Sequence, residues 1–172
     1  VFRWDGTQWT SLATRTWPLY AYTMIQLPDG DLLIGTGQGT LTRLDLGSRQ
    51  WTDYLPWLNG TFEALELLPR PDGGVDVLVG GGFTSSIAGV TPNIARWVPE
   101  TNQWFPVGTG ANAMVRAIKR LSNGEIIVGG DFTRYRGQPA NRLAKISVSN
   151  CALDTAFMQG SGFNAAVRKV VT

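Results

Sequence analysis

Three glycine-bearing strings are where chemistry would first be sought: EIIVGGDFT (Glu125 to Thr133), DVLVGGGFT (Asp76 to Thr84) and DLLIGTGQGT (Asp31 to Thr40). An apolar strand that runs into glycines is how a phosphate-cradling loop begins, because backbone N–H groups without side chains in the way can converge on an anion. None of the three ends in the Gly-Lys-Ser/Thr of a P-loop, and no helix-period pattern follows. The string from Gly35 to Gly39 also lacks the glycine spacing of a dinucleotide fingerprint. Gly80, Gly81, Gly129 and Gly130 therefore read as structural, at strand ends where only a hydrogen side chain permits close approach of neighbouring backbone.

The remaining catalytic inventory is thin. Histidine is absent, which removes Ser-His-Asp and Cys-His nucleophile systems, imidazole bases and His-based zinc sites together. Cys151 is the single cysteine, so neither an intrachain disulfide nor a multi-thiolate metal site can form. Glu63 and Glu66, with Arg116, Lys119, Arg120, Arg168 and Lys169 on equivalent strands, could approach a central channel, but alternating charges on a solvated strand face explain them equally well. Asp29-Gly30-Asp31 reads as a turn rather than a calcium loop. Asn59-Gly60-Thr61 is a glycosylation sequon whose meaning depends on the source. The expectation is no enzyme activity, no cofactor and no metal.

The elements that must position these residues repeat. The glycine strings are preceded by turn signals, Pro28-Asp29-Gly30, Pro71-Asp72-Gly73-Gly74 and Ser122-Asn123-Gly124, and Asp-Gly and Asn-Gly tolerate the positive φ of a tight hairpin. A third landmark pairs a basic residue with an apolar one and a later aromatic: FRWDGTQW from Phe2, TRLDLGSRQW from Thr42, ARWVPETNQW from Ala95 and a drifted LAKISVSNCALDTAF from Leu143. Trp9, Trp51 and Trp104, each after Gln or at the same place, and Phe83 and Phe132 recur at equivalent positions and read as packing residues.

One unit thus comprises four strands, here named by position A to D. In the best copy A is Met114 to Leu121, B is Glu125 to Gly130, C is Arg142 to Ser147 and D lies near Asp154 to Phe157. With about 50 residues per unit, the chain holds about three and a half: a partial repeat over 1–21, full repeats over 22–61, 62–113 and 114–164, and a partial repeat over 165–172. Short strands at regular intervals with Gly-Gly closing the second imply an all-β propeller of four-stranded antiparallel blades.

The Gly-Gly doublet followed by a basic-apolar strand and a later Trp resembles kelch-type blades. The wording VGGDFTRYRGQPANRLAKI and LDTAFMQGSGFNAAVRKV is similar to the bacterial delta-sixty repeat family and related kelch-like propellers of large surface proteins. The resemblance covers nearly the whole chain, best from Val75 to Val171. It implies a propeller in an extracellular or cell-surface protein.

In such a blade the B–C and D–A loops emerge on one face, which would gather Trp17, Tyr20, Trp57, Arg134, Tyr135 and Arg136. Aromatics and arginine dominate binding hot spots, and flat rings stack on sugars. These six are the candidate binding residues for a protein or carbohydrate ligand. Nucleic acid is not expected, since the net charge is only +2 and the basic residues are scattered. No apolar run approaches the length of a membrane-spanning helix. A unit starting at position C and another stopping at position A suggest a segment of a larger propeller, or closure by association with another chain. The function expected is a non-catalytic interaction or adhesion module, the alternatives being a scaffold subunit of an assembly such as a viral tail or fibre, or part of a carbohydrate-active propeller enzyme.

Overall fold

The computed structural model describes residues 1–15, 19–54, 58–84, 90–157 and 162–171, and all regular elements among them are β-strands. A hairpin of β1 (Phe2–Trp4) and β2 (Trp9–Ser11) comes first. The first full sheet is the antiparallel meander β3 (Ala21–Gln26), β4 (Leu32–Thr36), β5 (Leu41–Leu44) and β6 (Trp51–Tyr54). The second repeats that order with β7 (Asn59–Pro69), β8 (Val75–Thr84), β9 (Ile94–Val98) and β10 (Gln103–Pro106). The third contains β11 (Val115–Arg120) and β12 (Ile126–Gly130), then a small separate hairpin of β13 (Arg134–Tyr135) and β14 (Gln138–Pro139), and returns through β15 (Leu143–Ile146). The leading strands β3, β7 and β11 lie side by side, so the sheets pack face to face around a shared inner edge as propeller blades do.

The hydrophobic core lies between the blades. In β8 successive residues point to opposite faces: Val77 and Val79 join Leu33, Leu41, Phe62 and Trp97 on the side of the first blade, while Leu78 joins Val115, Ile118, Ile126 and Val128 on the side of the third. Burial on both faces is why β4, β8 and β12 read as continuous apolar runs rather than alternating ones. Phe83 and Phe132 are fully buried, as is Trp97, whose indole N–H donates to Asn102 Oδ1 at 2.9 Å.

The glycines set how closely blades approach. A methyl group on Gly80 would lie 2.5 Å from Val115 Cγ1 and 2.9 Å from Ile118 Cδ1 of the next blade. At the same register a methyl on Gly35 would meet Thr23 Cγ2 of its own blade at 2.7 Å and Phe62 Cβ of the next at 3.0 Å, and one on Gly129 would meet Val167 Cγ1 at 2.6 Å. Gly81 and Gly130 face inward across their own blade, where an added Cβ would sit 1.9 Å from the Thr61 carbonyl oxygen and 2.2 Å from that of Met114. These contacts fall at a bulge repeated in every inner strand, where Tyr22, Glu63 and Arg116 are left out of the ladder.

An ion pair also repeats. The acid heading each second strand meets a base on the third: Asp31 with Arg43 at 2.7 Å, Asp76 with Arg96 at 3.2 Å and Glu125 with Lys145 at 2.9 Å. The basic residue of the recurring basic-apolar pair is therefore the partner of the turn's acid.

Three expectations need correction. Position D of the third blade is not a strand: Ile146 and Leu153 form one bridge, and Asp154 then turns the chain by accepting Ala156 N–H on Oδ1 and Phe157 N–H on its carbonyl. Residues 165–171 form no strand, although Val167 N–H donates to Gly130 O at 3.2 Å and its side chain covers Gly129. Trp9 is 67% exposed and packs chiefly on Trp4, with ring centroids 5.4 Å apart; its equivalent Trp104 is drawn into the core beside Phe62 and Trp97, and Trp51 is half-buried, its indole N–H on Thr14 O.

Gly80→Val should cost about 1–3 kcal/mol by overpacking the blade interface, and Gly130→Ala at least as much, because its clash is with backbone. Gly47→Ala, in a turn where the nearest contact is Asp45 Oδ1 at 3.3 Å, should stay within about 0.5 kcal/mol. Urea unfolding followed by tryptophan emission would rank the three.

Candidate functional site

The loops between positions B and C are closed at their base in the second and third blades by the same pair of bonds. Asn93 N–H donates to Phe83 O, and Gly81 N–H to Asn93 O, both at 3.0 Å. Arg142 N–H donates to Phe132 O at 2.8 Å and Gly130 N–H to Arg142 O at 3.0 Å. Asn93 and Arg142 both hold positive φ, 64° and 68°, which reverses the chain into the third strand. Whatever the excursion carries, it starts and ends on a fixed pair.

In the third blade the excursion is the β13–β14 hairpin, turning at Arg136 and Gly137 with φ of 48° and 78°. It clasps the connector between the second and third blades: Arg136 N–H donates to Gly110 O at 2.7 Å, Asn112 N–H to Arg134 O at 3.1 Å, and Ala111 bridges Tyr135. The Asn112 side chain completes the clasp, its Oδ1 accepting the N–H groups of Thr133 and Arg134 at 2.9 Å and its Nδ2 donating to Thr133 Oγ1.

Beside the β13–β14 hairpin runs an open groove of about 380 Å³ lined by Thr84, Pro92, Asn93, Thr109, Asn112 and Arg134, among others. Arg134 is exposed at its lip and spends one guanidinium donor on Gly137 O at 3.0 Å. Arg136 does not join it: the side chain lies over Gly108 and donates to Asn150 O at 3.1 Å, stapling the hairpin to the turn before Leu153. Tyr135 is corrected as a binding residue. It is fully buried against Phe132, its hydroxyl donates to Cys151 O at 3.1 Å, and burial pushes its pKa far above the ordinary phenol value. Tyr20 is exposed but does not line the groove. Trp17 and Trp57 lie outside the described residues. Asn93, Thr109 and Asn112 were missed, since small polar residues in a connector carry no distinctive sequence signal; the Gly110-Ala111-Asn112 turn beside a Gly-Gly-x-Phe-Thr loop was the only cue.

On the inner strands, charges from neighbouring blades are paired. Arg116 forks onto Asp131, Nε to Oδ1 at 3.0 Å and an Nη to Oδ2 at 2.6 Å, and reaches Glu63 at 3.9 Å, while Lys119 meets Glu66 at 3.4 Å. The guanidinium holds the Asp131 carboxyl below its ordinary value of 3.8. Glu63 and Glu66 are thus each within reach of a cation on the neighbouring blade. Among the described residues no three His, Cys, Asp or Glu side chains cluster as a metal site would require, and no helix is long and apolar enough to cross a membrane.

Comparison with known proteins bears on the fold. A family described as a domain of unknown function (DUF5122) beta-propeller matches residues 121–157, the stretch from the third blade's turn to its Asp154 turn. No curated protein matches the chain. Among solved structures, the extracellular domain assigned to a hybrid two-component system of B. thetaiotaomicron superposes with a TM-score of 0.61 at 18% identity, over 97% of this chain and 21% of the other. This chain thus spans about a fifth of that structure's length. Together with the stacked meanders, these likenesses establish an all-β, partial β-propeller.

The Arg116–Asp131 fork makes stability depend on acid. A carboxyl depressed in the folded state contributes fully above about pH 4 and loses its contribution as pH falls through the folded value. Asp131→Asn should therefore cost about 1–2 kcal/mol at neutral pH and flatten the loss of stability below pH 4, measured by urea midpoints across pH 2 to 7.

Proposed function

We propose that this chain is a non-catalytic interaction module, a kelch-like or delta-sixty-repeat propeller segment within a large extracellular or cell-surface protein. The observation that carries the binding reading is the groove beside the β13–β14 hairpin, an excursion closed at its base by the same hydrogen bonds as its counterpart in the second blade. Variable loops on an invariant base are how rigid scaffolds display recognition residues. The extracellular setting draws on the repeat resemblance and on the extracellular domain that the fold matches.

The groove's lining suits a polypeptide partner: an exposed guanidinium beside asparagine and threonine side chains and glycine backbone matches a carboxylate or a carbonyl-rich loop. A non-catalytic role accords with the pairing of Glu63 and Glu66 to cations on the neighbouring blade.

Screening the chain against arrayed acidic peptides, with neutral peptides of the same lengths as control, should select the acidic set. Arg134→Ala should then weaken binding about tenfold or more with no change in thermal midpoint, since Arg134 is exposed. Equal binding of both sets, or affinity indifferent to Arg134, would remove the groove from consideration.

A further inference from the structure

The hairpin that joins the first two strands of a blade is longer in the second blade than in its neighbours. Pairing stops at Gln26 with Leu32 in the first blade and at Arg120 with Ile126 in the third, at the same distance from the interface glycines Gly35 and Gly129. In the second blade the equivalent pair is Leu67 with Val77, and it is followed by Leu68 with Asp76 and Pro69 with Val75. At about 3.3 Å per residue the hairpin projects about 7 Å farther. Leu68-Pro69 and Gly74-Val75 supply the extra length.

This overhang opens a cleft against the first blade. Side chains alternate along a strand, so Val75 points the same way as Val77 and Val79, which pack on the side of the first blade. The first blade has by then turned at Pro28 and Asp29, and the space between them and the overhang is a cleft of about 290 Å³. Leu27 and Pro28 form its apolar wall on one blade, Val75 and Pro99 on the other, and each blade adds one carboxylate, Asp29 and Glu100. The cleft lies at the opposite end of β8 and β9 from the groove beside Arg134. It does not depend on that groove's role.

Both carboxylates are half-exposed and held in place. Asp29 accepts Asp31 N–H on Oδ1 at 3.1 Å and an Arg43 Nη on Oδ2 at 2.7 Å. Glu100 receives Arg70 on Oε1 at 3.1 Å and on Oε2 at 3.4 Å. Acids still outnumber bases on both sides, since Arg43 faces Asp29 and Asp31, while Arg70 and Arg96 face Asp72, Asp76 and Glu100. The excess negative charge favours a cation, and a carboxylate with about four acceptor sites keeps capacity beyond the bonds already made.

Size and shape narrow the cation. Pockets for whole small ligands run from about 300 to 1,000 Å³, so this cleft suits one side chain. Lysine has an apolar stem with a charge at its tip, which matches apolar walls with acids beside them. A guanidinium fork seeks both oxygens of one carboxylate, whereas an ammonium acts as a point charge. Both oxygens of Asp29 and of Glu100 already have a partner, which favours the ammonium.

We propose that this cleft is a second docking site, which takes a lysine side chain from an extended segment of a partner polypeptide. The methylene stem lies against Pro28, Val75 and Pro99, and the ammonium is shared by Asp29 and Glu100.

The probe is the peptide acetyl-Ala-Leu-Lys-Leu-Ala-amide, titrated to millimolar concentration into the isotope-labelled chain and followed by amide NMR. The same peptide with norleucine for lysine is the control. Shifts should concentrate at residues 27–31 and 73–75, and the norleucine peptide should bind about fivefold more weakly or worse. Asp29→Asn and Glu100→Gln should each weaken lysine-peptide binding about two- to fivefold, and Glu100→Gln should leave the thermal midpoint unchanged. Val75→Lys places an ammonium in the cleft from within and should abolish binding, whereas Arg134→Ala should not alter it. Absence of shifts at the cleft overturns the proposal, as does equal binding of the norleucine peptide or indifference to both acid substitutions. Binding of n-butylammonium as tight as that of the peptide also overturns it, by assigning the cleft to a free amine.

Discussion

The structure depends on how closely one blade's inner strand approaches the end of its neighbour's second strand. Gly35, Gly80 and Gly129 occupy that point: Val115 and Ile118 fill the space at Gly80, Val167 fills it at Gly129, and at Gly35 it is shared by Thr23 of the same blade and Phe62 of the next. This approach brings β3, β7 and β11 together, and it leaves β8 buried on both faces so that its alternate residues serve two cores. It also brings Arg116 and Lys119 within reach of Glu63 and Glu66. A side chain at these glycines would wedge the blades apart and open the cores and the ion pairs together.

Much of this architecture was legible because its signals are local. Glycines after an apolar run, turn dipeptides before it and a basic-apolar pair after it are all read within a few residues, and each corresponds to one backbone requirement. The fourth position of the third blade was not legible in this way. Its apolar content, Ala152, Leu153 and Phe157, permits a strand, but Asp154 bonds to the backbone two residues on and turns the chain. Trp9 was misjudged for a different reason. Its position in the repeat is that of Trp104, but burial depends on the adjoining blade, which no property of the Gln-Trp pair can report.

The candidate site was less legible than the fold. Arg134, Tyr135 and Arg136 are adjacent and of the types that favour binding, yet they have three different fates. In a strand neighbouring side chains point to opposite faces, so Arg134 is exposed while Tyr135 is buried against Phe132. Arg136 lies at the turn with positive φ, which aims its side chain over Gly108 and toward Asn150. Only the register of β13 on Ala111 decides which of its residues meets solvent.

The backbone bonds at the base of each excursion let the loop differ between blades without disturbing the blade. The bonds at Phe83 with Asn93 and at Phe132 with Arg142 use backbone atoms alone, so they place no demand on the side chains of the excursion beyond a residue that tolerates positive φ. The aromatic rings of Phe83 and Phe132, buried below, hold the base in place from the core side. Stability is thus decided beneath the loop, and the side chains above it are the ones the proposed binding role would use. The clasp through Asn112 is the point where the two meet, because it fixes the backbone of Thr133 and Arg134 against the neighbouring connector. An arginine presented from backbone held in this way loses little further freedom when it engages a partner, since most of the ordering has already occurred on folding.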